Sequence, residues 1–189
     1  MKIYLLDRNA SMVHWWREYF KDNEEIEIVC DDFTRFMDAN DVECVVSPAN
    51  AYGLMDGGYD LAITDYFGEE LPKKVQNYLL ENSCGEQIVG TSIIVDINEK
   101  QKLIHTPTMR VPSHIKDPMI IYYCMRSCLM LAKKHNIKSI VIPGFGGACG
   151  NVQYSVIAKM MYYAYEQVNN PPKEITWSYA NSFLNEDIF

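Results

Sequence analysis

The chain has 189 residues, a length that suits one compact domain. Hydrophobic residues make up 48% of it and charged residues 22%, which is enough apolar material for a sizeable core and argues against global disorder. The net charge of -8 disfavours a nucleic-acid backbone as the main partner, because neutralising phosphates needs a basic surface. We therefore expect a single domain over residues 1–189 that does not bind nucleic-acid backbone.

The same sequence gives no sign of a membrane segment or a metal site. The N-terminal apolar run ends at Asp7, so it is too short for a signal-peptide core, and no apolar run approaches the ~20 residues of a membrane span. The six cysteines are scattered without metal-ligand spacing, which is typical of free thiols in a reducing cytosol. We expect a cytoplasmic protein with no membrane contact, no metal ion and no cofactor.

Short apolar runs alternate along the chain with longer amphipathic stretches, the pattern of a mainly parallel sheet flanked by helices. The apolar runs predict strands at Lys2 to Leu6, Glu27 to Cys30, Glu43 to Val46, Ile88 to Asp96, Leu103 to Thr106, Ser139 to Ile142 and Ile175 to Tyr179. The amphipathic stretches predict helices at Ser11 to Lys21, Tyr59 to Phe67, Leu71 to Glu81, Pro118 to His135 and Val152 to Gln167. The predicted fold class is α/β.

Two glycine-rich loops each follow a predicted strand and precede a helix. The first loop is residues 47–60 (SPANAYGLMDGGYD), and the second loop is residues 143–151 (PGFGGACGN), with four glycines in nine positions. Glycines at such junctions let backbone amides point at an anion, and the following helix N-terminus adds partial positive charge. Because loops after parallel strands line one crevice, the pair suits a diphosphate better than a single phosphate. The alternative is that both loops are tight turns.

Neither loop has a cation beside it in the sequence. No Lys or Arg occurs from Phe36 to Pro72 or from Ser139 to Ala158. A phosphate at these loops would therefore be held by backbone amides, which excludes a P-loop with its adjacent Lys.

The loops resemble those of a known family, the macro domains, which bind ADP-ribose and related nucleotides. In that family a strand leads into Asn-Ala-Ala-Asn, and a glycine run follows that ends in Gly-Val-Asp. Ser47-Pro48-Ala49-Asn50 stands at the first motif and Gly57-Gly58-Tyr59-Asp60 at the second, with the family's spacing of ten positions from Asn50 to Asp60. The second loop resembles the family's phosphate loop, and Asp32-Phe33-Thr34 its Gly-Asp-Ile-Thr turn. The resemblance implies a three-layer α/β/α fold with a mostly parallel mixed central sheet.

The resemblance also implies roles for single residues. Asp32 would accept a hydrogen bond from the adenine amino group, although an ordinary turn Asp fits the same position. Asn50 would orient the distal ribose, and Asp60 would hold or deprotonate a water near the anomeric carbon, or else only favour the helix dipole. Asn50 and Asp60 are thus the candidate catalytic residues. The expected ligand-binding residues are Asp32, Phe33, Ala49, Asn50, Gly57, Gly58, Tyr59, Pro143, Gly144, Phe145, Gly146, Gly147, Ala148, Cys149, Gly150 and Phe183.

Two aromatic residues complete the predicted set, and several positions depart from the family pattern. Phe145 either covers the distal ribose or packs in the core, and Phe183 is expected to stack on adenine. Ser47 stands where the family's first Asn is usual, Met55-Asp56 replace two glycines of the family's glycine run, and Thr64 stands where hydrolytic members often have a His. These departures weaken the case for catalysis more than the case for binding.

These observations leave two functions open. The first is an enzyme that removes ADP-ribose from a protein or small molecule, with ADP-ribose or ADP-ribosylated molecules as partners. The second is a binding module that senses ADP-ribose without turning it over. A purely structural protein that has lost the ligand is disfavoured by the intact glycines Gly57, Gly58, Gly146 and Gly147.

Overall fold

The structure is a computed structural model that describes residues 1–182. Its described part contains a sheet of six strands: β1 (Lys2–Asp7), β2 (Ile26–Cys30), β3 (Cys44–Ser47), β4 (Ile93–Asp96), β5 (Lys102–His105) and β6 (Ser139–Ile142). The order across the sheet is β2-β1-β6-β3-β5-β4. All neighbours run parallel except β4, which pairs antiparallel with β5 at the edge. The predicted mixed, mostly parallel sheet is confirmed.

Helices cover both faces of this sheet. They are α1 (Ala10–Tyr19), α2 (Phe33–Ala39), α3 (Gly58–Phe67), α4 (Glu70–Asn82), α5 (Met119–Lys134) and α6 (Tyr154–Asn169), and a short helix, α7 (Trp177–Ser182), follows them in the chain. One core lies between the sheet and α1, α5 and α6, and a second lies under α2, α3 and α4. In β6, Ile140 and Ile142 join the first core and Val141 the second, because successive side chains of a strand point to opposite faces. The fold is the expected three-layer α/β/α arrangement.

The elements differ from the sequence prediction at three places. The strand predicted at Ile175 to Tyr179 is wrong, because α7 begins at Trp177 and the side chains of Ile175 and Trp177 are 86% and 84% exposed. The preference of a residue for a strand comes mostly from packing against neighbouring strands and from burial. These exposed residues have neither. Strand β4 begins at Ile93 rather than Ile88, after Gly90 with a φ of +83°. Helix α2 was not predicted.

The position of β1 decides which residues meet at the edge of the sheet. Because β1 lies between β2 and β6 and all three are parallel, the residues that follow them are neighbours in space. The first loop follows β3, which lies on the other side of β6. Ligands of open α/β sheets bind at this carboxyl edge. The segments that follow β1, β2, β3 and β6 therefore lie together at the carboxyl edge of the sheet.

Candidate functional site

A cleft of about 720 Å³ lies at the carboxyl edge of these strands. With two exceptions, the structure brings the ligand-binding and catalytic residues predicted from the sequence together in the walls of this cleft. Those that line it are Asp32, Phe33, Ala49, Asn50, Gly57, Gly58, Tyr59, Asp60, Pro143, Gly144, Gly146, Gly147, Ala148, Cys149 and Gly150. The exceptions are Phe145 and Phe183. Phe145 is fully buried in the core beneath the second loop, so core packing is the role that its side chain has. Phe183 lies outside the described residues.

The first loop presents the N-terminus of α3 to the cleft. The first intrahelical hydrogen bond of α3 runs from the Leu61 amide to the Gly57 carbonyl. The amides of Gly58, Tyr59 and Asp60 come before this bond and therefore have no acceptor within the helix. No side chain caps this end of the helix, and Gly58 has a φ of +58°, in the left-handed region that favours glycine. Uncapped amides at a helix N-terminus attract an anion. The loop is therefore built to hold negative charge from its backbone.

The Asn50 side chain fastens the first loop. Its Nδ2 donates to the Leu54 carbonyl at 2.7 Å, and its Oδ1 accepts from the amides of Tyr52 and Leu54 at 3.0 and 3.3 Å. Both polar atoms of the predicted ribose-orienting group thus have loop partners in this structure. Asn50 therefore lines the cleft and also fixes the conformation of the first loop around its own side chain.

The second loop closes tightly before α6. Gly146 has a φ of +79°, its carbonyl accepts from the Val152 amide, and a Cβ at Gly150 would lie 2.5 Å from the Gly146 carbonyl oxygen. Only glycine fits at these two positions. Within residues 1–182, the amides of Gly147 and Ala148 donate to no protein group. These amides are available to an oxygen-rich ligand in the cleft.

Asp60 is the buried carboxyl of the site. It is 8% exposed, and its Oδ1 accepts a 2.7 Å hydrogen bond from Ser47 Oγ, which is itself fully buried. Burial raises the pKa of Asp60 from 3.8 to about 7, the Ser47 hydrogen bond opposes that rise, and the Asp56 charge adds to it. Ser47, at the position of the family's first Asn, is thus the partner of the candidate catalytic residue.

Thr64 and Asp32 serve the helices on which they lie. The Thr64 hydroxyl lies 2.9 Å from the Met55 carbonyl and 3.0 Å from the Asp60 carbonyl, so it is committed to backbone. Asp32 is the N-cap of α2, where its Oδ1 accepts from the Thr34 amide at 3.0 Å. The buried ring of Phe33 packs edge-on against Tyr59 at 5.2 Å. These contacts bring the end of β2 against α3 along one side of the cleft.

Sequence reasoning missed the segment that follows β1. Asp7, Arg8 and Asn9 line the cleft, as does Tyr154 at the start of α6. The Asp7 carboxylate accepts from the Asn9 amide at 2.8 Å, and Asn9 Nδ2 donates to Tyr154 Oη at 2.8 Å. Burial raises the pKa of Asp7, and the amides of Asn9 and Gly144 oppose that rise. The available signal was a run of polar residues directly after a buried strand, but only the sheet order shows where it leads.

Two features are absent from the part of the chain that the structure describes. No helix in residues 1–182 is long and apolar enough to cross a membrane. Among the same residues, no group of three or more His, Cys, Asp and Glu side chains is placed to hold a metal ion.

Comparison with known proteins agrees with the geometry. The sequence profile of the Macro domain family matches residues 46–161. An uncharacterized protein of Aquifex aeolicus is 31% identical over 123 residues, which covers 64% of this chain and 71% of that protein. The macrodomain of Mycobacterium tuberculosis DarG superposes with a TM-score of 0.61 at 20% identity, over 73% of this chain and 88% of the other.

A second solved structure, the Oceanobacillus iheyensis macrodomain with ADP, has a TM-score of 0.57 at 24% identity, over 68% of this chain and 71% of the other. These structural likenesses show a shared fold, and the family profile spans more than half of the chain. The resemblance seen in the glycine loops is confirmed: the chain belongs to the Macro domain family.

Proposed function

We propose that the cleft binds ADP-ribose and hydrolyses the bond between ADP-ribose and a protein or small molecule. The family assignment supports the ligand class, since the Oceanobacillus iheyensis macrodomain has been solved with ADP and a mutant of it with ADPR. The arrangement of the two loops supports a diphosphate. Each loop offers free backbone amides to one cleft, from the N-terminus of α3 on one side and from Gly147 and Ala148 on the other.

The observation that carries the hydrolase proposal is the state of Asp60. A carboxyl in the wall of the cleft, with a pKa raised to about 7, is partly ionised at neutral pH. Proton transfer is most efficient when the pKa of the catalytic group lies near the working pH. Asp60 is thus suited to take a proton from a water that attacks the distal ribose, and Ser47 fixes the orientation of the carboxyl.

The sensor remains the second candidate, and two observations favour it. Both polar atoms of Asn50 are hydrogen-bonded within the first loop, and the hydroxyl of Thr64 is bonded to backbone. Asp60 therefore has neither a free amide nor a second titratable group from these positions to assist it. A raised carboxyl pKa also arises in purely structural burial.

Calorimetric titration followed by a release assay tests both candidates. ADP-ribose should bind at least about tenfold tighter than AMP, because AMP lacks the second phosphate and the distal ribose. Equal affinities would contradict a diphosphate site. Incubation with an ADP-ribosylated protein should release free ADP-ribose. Tight binding without release from Asp-, Glu- or Ser-linked conjugates would make the protein a sensor.

A further inference from the structure

The walls of the cleft carry an unbalanced charge for a site that takes a diphosphate. Among the described residues that line it, the ionisable acids are Asp7, Asp31, Asp32, Asp56 and Asp60. Of these, Asp31 forms an ion pair at 2.7 Å with Arg35, which lies outside the cleft. Backbone amides attract a diphosphate through their dipoles, but they add no net charge to a wall that carries these carboxylates.

Arg8 is the one Lys or Arg among the described lining residues. It follows β1, which lies between β2 and β6, so it sits between the Asp32 segment and the second loop. Its backbone carbonyl lies 4.0 Å from Cys30 Sγ at the end of β2. The preceding residue, Asp7, pairs with Cys30 in the sheet, and its carboxylate lies against Gly144 of the second loop, 3.1 Å from where a Cβ on that glycine would be. The main chain at Arg8 is therefore held between β2 and the second loop.

The side chain of Arg8 is not committed to the protein. It is exposed and forms no ion pair within residues 1–182. The neighbouring Asp7 carboxylate feels its charge without a direct bond between the two groups. An anchored backbone with an uncommitted guanidinium at the rim of an acidic cleft is an arrangement that suits an incoming anion.

We infer that Arg8 is a ligand-binding residue whose guanidinium pairs with the diphosphate and supplies the cation that both glycine loops lack. This inference rests on the proposed binding of ADP-ribose. The planar guanidinium donates two parallel hydrogen bonds to phosphate oxygens, and its charge offsets the nearby carboxylates. It also gives ADP-ribose binding a salt dependence that backbone dipoles alone do not produce.

Calorimetric titration of ADP-ribose into the wild-type chain and three variants, each at low and high salt, tests this role. Arg8→Ala should weaken binding about tenfold or more at low salt, and most of the salt dependence should disappear. Arg8→Lys should keep the salt dependence, because it keeps the charge, but it should lose part of the affinity, because an ammonium group cannot make the two parallel hydrogen bonds. Arg17→Ala, which removes an exposed Arg on α1 outside the cleft, is the matched control and should bind as wild type does. Thermal unfolding should be alike in all four proteins.

The outcomes separate the two proposals. If the wild-type chain does not bind ADP-ribose, both the proposed function and the role of Arg8 are overturned. If it binds and Arg8→Ala binds equally well with the same salt dependence, the role of Arg8 alone is overturned. If Arg8→Ala binds more weakly than wild type but keeps the full salt dependence, pairing between the Arg8 charge and the diphosphate is also overturned, because the lost contact would then not be an ionic one.

Discussion

Ser47 and Asp60 form a buried hydrogen bond of 2.7 Å that joins the last residue of β3 to the first turn of α3. The two residues are 13 positions apart and enclose the whole first loop between them. The bond therefore does two things at once. It closes the first loop at its base. It also holds Oδ1 of the Asp60 carboxyl in place, and this fixes the orientation of the whole carboxyl group.

Replacing Asp60 with Asn tests the proposed base. Turnover should fall by about two orders of magnitude or more, the usual effect of removing a positioned general base. ADP-ribose affinity should fall far less, because Asn keeps the shape and can accept the Ser47 hydrogen bond. Release of ADP-ribose from a conjugated protein and calorimetric titration measure the two effects. Full turnover by Asp60→Asn would exclude Asp60 as the base.

The pH profile of turnover offers a check without mutation. Because burial raises the pKa of Asp60 to about 7, the carboxyl is protonated below that pH and cannot accept a proton. Turnover per bound substrate should therefore rise with pH and reach half of its maximum near pH 7. A flat profile between about pH 5 and pH 8 would contradict this role.

The stability of Asp60→Asn should depend on pH in a defined direction. An unfolded chain releases the Asp proton near pH ~3.9, whereas folded Asp60 releases it at about 7, so the folded state binds more protons in between. The stabilisation from the protonated carboxyl is complete below the unfolded pKa and is lost as the pH rises through 7. At pH ~8, Asp60→Asn should thus melt above wild type by about 2 °C or more.

Calorimetric melting curves at acidic and alkaline pH measure this difference. The advantage of Asp60→Asn should shrink towards pH ~5, where the wild-type carboxyl is protonated as well. An advantage that is the same at both pH values would show that Asp60 does not titrate near neutrality.

Ser47→Ala tests whether the serine is a positioning residue. Burial sets the raised pKa of Asp60, and the Ser47 hydrogen bond lowers it, so removing the hydroxyl should raise that pKa further. The midpoint of the turnover profile should move to higher pH, and Ser47→Thr, which keeps a hydroxyl, should restore it. A lower rate with an unmoved midpoint would mean that Ser47 only supports packing.

Gly147→Val should weaken ADP-ribose binding about tenfold or more. A Cβ at Gly147 would lie 3.0 Å from Tyr154 Cε1 and 3.3 Å from Ile157 Cδ1, so the loop or the Tyr154 ring must shift. Either shift moves the amides that face the cleft. Gly85→Ala is the control: Gly85 has a φ of +84° but lies outside the cleft, so the variant should lose stability without losing affinity. Normal binding by Gly147→Val would remove the second loop from the phosphate site.

The residues of the loops were readable from the sequence because their signals are local. Glycines between a buried strand and a helix mark a backbone that approaches an anion, and the absence of Lys and Arg nearby is visible in the letters themselves. Strand periodicity also placed β3 and β6 directly before the two loops. The position and the glycine content of these loops are therefore set by the sequence within about ten residues of each loop.

Tertiary structure decided the rest, because it depends on which strands become neighbours. Insertion of β1 between β2 and β6 carries Arg8 into the cleft, and no local pattern encodes that order. Phe145 turns into the core although it lies in a glycine-rich loop at the cleft, and the Ile175 segment stays outside the sheet despite its strand-forming residues. Burial and pairing are properties of the packed chain, so the same side chain has a different role when its neighbours change.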